Sequence, residues 1–503
     1  MSRSKPSKSA SKKKAPAAKG KPAASRSLAA QPAAPSGSSA RALVVALGSP
    51  RDTLAALPLV EELVRAGVAV DAVVPAELVA PLTAVEGVTV IPVSELDGLD
   101  ADVAAARGRK VVSPEATRAF DGLAWPDRAR VYDDAINLTE SALGAFVTTH
   151  VRARRKVGGY YSKAHEWLFV GEAMIFRVAM DEFRDLQLFH LADLARAASW
   201  RPWRVPGAEA RMPGPAHGTA PALPEGRRIA LVPGDDRGTR GWPTTQWAFL
   251  ARALESAGFV PVVITDPKHA PRGRAIALTT RRGLSAQLDG LSLPDRLAAL
   301  AACELVIASD GGPAQVAAMS GRPVVGVYGG GARFAEDAPY GAGHVVVQGA
   351  PNRPAAVVTV DAVVAAALAK LGQRSSEELV AAARKAQATL WETAMLPDGA
   401  DPLGGLTYRP LHAAALDADD LLLFAQRSAF AATFRGSGAT SLDFLAPLLP
   451  ADRSAARASL DAIAAQLDPF VAELQRLASD AAKVPQLALR GDSTTLQSTA
   501  AGL

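Results

Sequence analysis

Between residues 41 and 372 the chain alternates short apolar runs with longer stretches whose apolar positions recur at helical spacing. Arg41 to Leu47 is the first run, and Gly48–Arg51 is a turn. In Asp52–Ala66, Leu54, Leu57, Val60, Leu63 and Val64 follow helical spacing, and Gly67 stops the helix. Val68–Val74 is a second apolar run, so residues 41–74 predict a parallel β-α-β unit. Further strands are predicted near 88–93 and 109–112 and at Ala135–Leu138. A long amphipathic helix is predicted over 163–198, with Phe183, Leu186, Leu188, Phe189, Leu191 and Leu194 as core and His190 packed among them. The pattern restarts at Arg228. Strands at Ile229–Val232, Phe259–Thr265, Leu305–Ala308, Pro323–Tyr328 and His344–Gln348 alternate with helices at Gln246–Ala257, Leu297–Cys303, Ala314–Ser320 and 358–372. Apolar runs without inside–outside alternation belong to strands covered on both faces. The predicted class is α/β, with one domain at 41–199 and a second at 228–372.

Outside these domains the pattern changes. Residues 200–227 are rich in Pro, Gly and Ala and read as the interdomain linker. Residues 373–503 are rich in Ala and Leu, with helical periodicity broken near Pro397–Pro410 and Gly436–Gly438. They predict a helical extension, either an added packing layer or a surface for a protein partner. Residues 1–40 are Lys, Ser, Ala and Pro with few large apolar side chains, so burial cannot offset ordering entropy and the segment is expected to be disordered.

Charge sharpens this division. The chain carries +5, yet residues 1–41 hold ten basic side chains and no acid, which leaves −5 on the remainder. A mildly acidic body argues against nucleic-acid binding. The basic tail is either a solubilising segment or a contact for an anionic membrane surface. No run of 18 or more apolar residues is present, and the charged N-terminus lacks the apolar core of a signal peptide. The single cysteine, Cys303, excludes intrachain disulfides and cysteine-based metal sites, suits a reducing cytosol, and reads as a buried structural thiol.

Candidate chemistry lies in the turns that follow strands. Ser309-Asp310-Gly311-Gly312-Pro313 separates a strand from a short helix that Gly321 and Pro323 end. Asp310 can cap that helix, Gly311 and Gly312 let backbone approach a ligand, and Pro313 suits a first helical turn. A helix N-terminus after a strand is an anion site, because free N–H groups and the dipole both favour negative charge. The turn therefore either holds the phosphates of a nucleotide-linked donor or is an ordinary strand–turn–helix. Asp52 stands at the C-terminal edge of the first strand, where a carboxylate can take a proton in transit; a helix cap fits the same position. Asp133-Asp134 is set aside as a metal pair, because it precedes a strand rather than following one. Asn137 and Thr139 stand at the better edge. Arg154, Arg155 and Lys156 read as an exposed charge run.

The segment SDGGPAQVAAMSGRPVVGVYGG resembles the donor-side signature of the heptosyltransferase-like glycosyltransferases, family 9 of the GT-B fold. Asp310, Gly312, Ala317, Gly321, Pro323, Val324, Val325, Tyr328 and Gly329 match. Gly311 stands where that family has a hydroxyl residue and Gln315 where it has His, both of which touch donor phosphate or nucleotide there. Asp52 followed by Leu57-Pro58 resembles the family's opening and implies a general base. Arg51, in place of a glycine, can contact the donor pyrophosphate. VYDDAINLTESALGAFV resembles a further family segment, and the edge position of Asn137 and Thr139 makes them candidate acceptor or phosphate contacts. Pro233–Pro243 resembles the loop whose Lys contacts donor phosphate, and Arg240 falls in its place. Asp337–Gly341 matches the loop before the last strand.

The resemblance covers about 41–372. It implies two Rossmann-like domains facing a cleft and an inverting, metal-independent transfer from an ADP-heptose-like nucleotide-sugar. The implied acceptor is a lipopolysaccharide core or other surface glycan at the cytoplasmic face of the inner membrane, and no cofactor is implied. Asp52 would activate the acceptor hydroxyl, while Arg240 and the N–H groups of Gly312–Ala314 would steady the leaving nucleotide diphosphate. The departures at Arg51, Gly311 and Gln315 leave open a catalytically degenerate binding or scaffold protein of the same shape. A dinucleotide-dependent oxidoreductase fits poorly, since neither domain's first strand is followed by G-x-G-x-x-G.

Overall fold

A computed structural model describes residues 40–94, 120–162 apart from 122, 124, 126 and 128, 167–180, 189–199, 211–235, 241–281, 288–329, 334–350, 353–395, 405–411 and 427. Two sheets carry the architecture. The first contains β1 (Arg41–Val45), β2 (Ala69–Pro75), β3 (Val88–Val93), β4 (Val131–Asn137), β5 (Arg152–Tyr161) and β6 (Trp167–Val170), in the order β3-β2-β1-β4-β5-β6. Its strands run parallel except β6, which returns antiparallel on β5. The second contains β7 (Arg228–Val232), β8 (Val260–Val263), β9 (Leu305–Ser309), β10 (Val324–Tyr328), β11 (Val345–Gly349), β12 (Ala388–Met395) and β13 (Leu406–Pro410), in the order β13-β12-β11-β10-β9-β7-β8. β8 to β11 are parallel, and an antiparallel hairpin, β12–β13, covers the edge of β11. β9 and β10 are buried throughout, as their unbroken apolar sequences require.

In both sheets the chain starts in the middle, winds outward, then crosses to the other side of its first strand. The crossings fall between β1 and β4 and between β7 and β9. Loops leaving the C-terminal ends of such a pair diverge and open a crevice. The predicted α/β class with two Rossmann-like parallel sheets is therefore present.

Several elements differ from the sequence reading. The helix expected over 52–66 is two helices, Pro50–Ala55 and Leu57–Arg65. The long helix expected over 163–198 is interrupted: β6, a turn at Gly171 (φ +99°), and helices Glu172–Met180 and Leu191–Ala197 take its place. Phe183, Leu186 and Leu188, the strand expected at 109–112 and residues 1–39 lie outside the described residues. The helical reading of 373–503 is corrected over 388–410. Helix Ser376–Lys385, opened by a Ser375–Glu378 capping box, is followed by the two strands of the hairpin. Their Thr, Trp and Tyr residues suit a pleated surface, and Trp391 and Tyr408 pack on Phe334 at ring distances of 5.1 and 4.8 Å. The break read near Pro397–Pro410 takes in the second of these strands, Leu406–Pro410.

Asp133 and Asp134 lie inside β4 rather than before it. Across the pair with β5, Arg154 reaches Asp133 (3.0 Å) and Arg155 reaches Asp134 (2.6 Å). Two members of the supposed charge run thus neutralise the acidic pair.

A buried polar layer joins the elements around the first sheet to those around the second. Asp193 accepts hydrogen bonds from the Tyr340 hydroxyl (2.7 Å) and the Leu406 N–H (2.8 Å). Arg196 bridges Asp193 (3.2 Å) and Glu62 (2.5 Å). His190 Nδ1 accepts from the Ala192 N–H (3.0 Å), which leaves Nε2 as the donor to the Ala338 carbonyl (2.9 Å). Burial pushes His190 down to about 4, against the pull of Asp193, so it packs as a neutral ring. The described part of the linker lies along this junction, with the Met212 N–H donating to Tyr340 O (3.2 Å) and the Gly218 N–H to Pro294 O (2.9 Å). Cys303 is buried, which pushes its thiol up to about 12. No helix among the described residues is long and apolar enough to cross a membrane.

Candidate active site

The two crevices meet in one cleft of ≈ 1130 Å³. From the first sheet it is walled by the β1 loop, Ser49 to Asp52, and by Glu77 to Pro81. From the second sheet it is walled by Pro233–Asp235 after β7, Thr265–His269 after β8 and Ser309–Pro313 after β9.

The β1 loop is shaped to hold Asp52. A Cβ on Gly48 would stand 2.9 Å from the Asp52 Cβ, so only glycine leaves room there. Ser49, not Asp52, caps the Pro50–Ala55 helix. Its oxygen accepts from the Asp52 N–H (3.4 Å), and its hydroxyl donates to Asp52 Oδ2 (2.6 Å). The cap reading of Asp52 therefore falls, and the carboxylate is left to its charged neighbours. Oδ1 accepts from Arg177 Nη2 at 3.0 Å, with Arg51 Nη2 at 3.6 Å. Burial pushes this carboxyl up. Arg177, Arg51 and the Ser49 hydrogen bonds together outweigh that and hold it below the usual range. Asp52 is thus a charged, oriented carboxylate at neutral pH.

Arg51 lines the cleft and also pairs with the buried Glu336 (3.2 Å) and Asp337 (3.5 Å). Burial opposes its charge, but Asp337, Asp52 and Glu336 push its pKa up. Its guanidinium is a fixed cation between the β1 loop and the second sheet's loops.

The β9 loop has a different chemistry. The helix there is Gly312–Met319, and its N-cap is Gly311 at φ +73°, with no side chain bonded to the cap. Asp310 lines the cleft but does not hold the cap position as the sequence predicts, because Gly311, in the left-handed region, takes that position one residue later. The helical ladder begins with the Gln315 N–H to Gly311 O (3.1 Å), so the N–H groups of Gly312 and Ala314 precede it. Pro313 contributes no N–H. Gly311, Gly312 and Pro313 line the cleft, and Ala314 is buried behind them. The Pro233-Gly234 turn fits against this loop: a Cβ on Gly234 would come 2.3 Å from Ser309 Oγ.

Gln315 points away from the cleft. It is fully buried, and its Nε2 donates to the carbonyls of Asp337 and Ala338 (2.8 Å each). Tyr328 donates its hydroxyl to the same Asp337 carbonyl (2.8 Å). Two residues of the signature thus support the turn that presents Glu336 and Asp337 to Arg51. Asn137 and Thr139 are likewise buried. Asn137 donates to Gly159 O (2.8 Å) and accepts from the Thr139 N–H (3.0 Å) and hydroxyl (2.7 Å), which shapes the β4 loop. Arg240 lies outside the described residues.

The sequence reading missed Arg177, Glu336 and Asp337. Arg177 sits on a helix read only for its apolar face, and the acidic pair ends the short helix Phe334–Asp337, of which only Asp337 was noted, for its resemblance. No local signal marks either, because their roles depend on Asp52 and Arg51, far away in sequence.

Residues 128–358, somewhat under half of the chain, match the model of glycosyltransferase family 9 (heptosyltransferase). Over that segment the chain resembles family 9 at a distance, and its two-sheet α/β architecture is that of the GT-B fold. Among solved structures, a glycosyl transferase family 9 protein from Veillonella parvula DSM 2008 is similar at 16% identity and a TM-score of 0.50, over 67% of this chain and 98% of that one. E. coli heptosyltransferase WaaC with ADP is similar at 19% identity and a TM-score of 0.44, over 64% and 97%. E. coli ADP-heptose lps heptosyltransferase II is similar at 18% identity and a TM-score of 0.39, over 59% and 86%. No curated protein matches the chain.

Proposed function

We propose that the protein is an inverting glycosyltransferase that moves a heptose-like sugar from a nucleotide-sugar to a glycan acceptor. The observation that carries this reading is the meeting of two unlike loops in one cleft: an ionised, oriented Asp52 and a glycine-opened helix N-terminus with no side-chain cap. Asp52 takes the proton of an acceptor hydroxyl as its oxygen bonds to the anomeric carbon. The bond from that carbon to the nucleotide diphosphate breaks on the opposite face. The departing charge falls on N–H groups at the start of the Gly312–Met319 helix. Arg51, and Arg240 by its match to the family's phosphate-contacting position, supply cations, so the reaction needs no metal on this reading.

The match to a heptosyltransferase family supports a donor such as ADP-heptose and an acceptor on the lipopolysaccharide core or another surface glycan. Such an acceptor places the reaction at the cytoplasmic face of the inner membrane, where the basic tail has a partner.

Isothermal titration of ADP, UDP, GDP and CDP tests the reading, using the intact protein and an Asp310→Ala, Arg240→Ala double variant. One nucleotide should bind, and the variant should lose it. Absence of binding at millimolar nucleotide would overturn the donor chemistry and leave a glycosyltransferase-shaped binding protein.

A further inference from the structure

Arg177 has no part in the sequence signature, yet it is the residue that ties the first crevice together. It lies on helix Glu172–Met180 and spends its three faces on three different groups. Nη2 donates to Asp52 Oδ1 (3.0 Å), Nη1 donates to Leu138 O (2.5 Å), and Nε faces Glu140 Oε1 (3.7 Å). Asp52 follows β1, while Leu138 and Glu140 follow β4. These two strands are adjacent, and their loops diverge at the point where the sheet reverses its order. One planar guanidinium therefore bolts the two diverging loops to each other. Its side chain is 13% exposed and committed in all three directions, so it is poorly placed to bind a substrate.

We propose that Arg177 is a positioning residue for Asp52, fixing one carboxylate oxygen against the β4 loop and leaving Asp52 ionised with a set orientation toward the cleft. The role rests on the reading of Asp52 as the base. The other groups facing the carboxylate are Arg51 from its own helix and the Ser49 hydroxyl. Behind Arg51 stand Glu336 and Asp337, which share its charge, and behind Arg177 stands Glu140. Arg177 makes the shorter of the two cationic contacts, so its removal should be felt most at Asp52. A lysine offers one ammonium in place of a fork and cannot reach Asp52 and Leu138 O with the same geometry.

The test is a carboxyl titration of Asp52 by ¹³C NMR on the full chain, assigned by difference against Asp52→Asn. It is run on wild type, Arg177→Gln and Arg177→Lys, each checked for thermal unfolding and for ADP binding. Arg177→Gln should raise the Asp52 midpoint by about one pH unit or more, the size expected when a close cation is removed. Arg177→Lys should fall between it and wild type, with the melting temperature and ADP affinity of both variants near wild type. An unmoved midpoint in Arg177→Gln overturns the proposal. A raised midpoint that comes with equal loss of ADP affinity also overturns it, because Arg177 would then support the cleft as a whole. If none of the four nucleotides binds wild type, the glycosyltransferase reading fails, and the midpoint still decides whether Arg177 governs Asp52.

Discussion

At the end of β1 the cleft is built from a cluster of paired charged side chains, whereas at the end of β9 it is built largely from the glycine backbone of Gly311 and Gly312, beside Asp310. Asp52 is held by Ser49, Arg51 and Arg177, and the helix it belongs to is only Pro50–Ala55. The second loop offers Gly311, Gly312 and Pro313, with no capping side chain. Both loops occupy the same place, the switch point of a doubly wound sheet. Under the proposed function, the difference follows from what each loop would handle. A proton acceptor must be a side chain with a fixed charge, and its ionisation inside a cleft requires cations to offset burial. A phosphate site needs donors that approach closely, and any side chain beyond Cα would stand in the way.

The largest effect should come from removing the acceptor of the proton. Asp52→Asn keeps the shape of the side chain and should lower sugar transfer by about 10²–10⁴-fold while ADP affinity stays unchanged, as measured by turnover beside calorimetry. Retained turnover would place the base elsewhere and dissolve the contrast between the two loops. Next comes the junction that keeps the loops facing each other. Asp193→Ala leaves Arg196 and Tyr340 without a shared acceptor and should destabilise the protein by about 3–5 kcal/mol in urea unfolding.

Third is acid sensitivity. His190 and His344 are both buried and both pushed down to about 4. The unfolded chain binds protons at these rings below about pH 6.5, while the folded chain refuses them down to about pH 4, so stability rises with pH across that window. Each ring contributes on the order of 3 kcal/mol to the loss on acidification, and His190→Gln should flatten part of the slope. An unchanged slope would show that His190 is not the titrating group.

The smallest effect is expected at the backbone site. Gly311→Ala forces a side chain into φ +73° and should cost about 1–3 kcal/mol, with weaker ADP binding. Its Cβ would stand 3.7 Å from Asp337 Oδ2, which is ordinary contact, so conformation and not crowding is responsible.

How far the fold and site could be read in advance follows the range of the forces. Strands such as 305–308 and 324–328 announce themselves because a buried parallel strand needs an unbroken apolar run. The hairpin at 388–410 does not, because its strands alternate over short spans and gain their partner only from the exposed edge of β11. Gly48 and Gly234 look like ordinary turn residues, although each is required by one close neighbour, Asp52 or Ser309. Gln315 is the sharpest case. It fills a ligand-contacting position of the family signature but is turned inward to the carbonyls of Asp337 and Ala338.

The sequence by itself determined the alternation of strands and helices, the two α/β halves and the two loops that face the cleft, because each depends on residues near in the chain. Only the tertiary structure decided the electrostatics of the site. Arg177 meets Asp52 across 125 positions and Arg51 meets Glu336 across 285, and no local pattern can encode which distant charge will offset the burial of another.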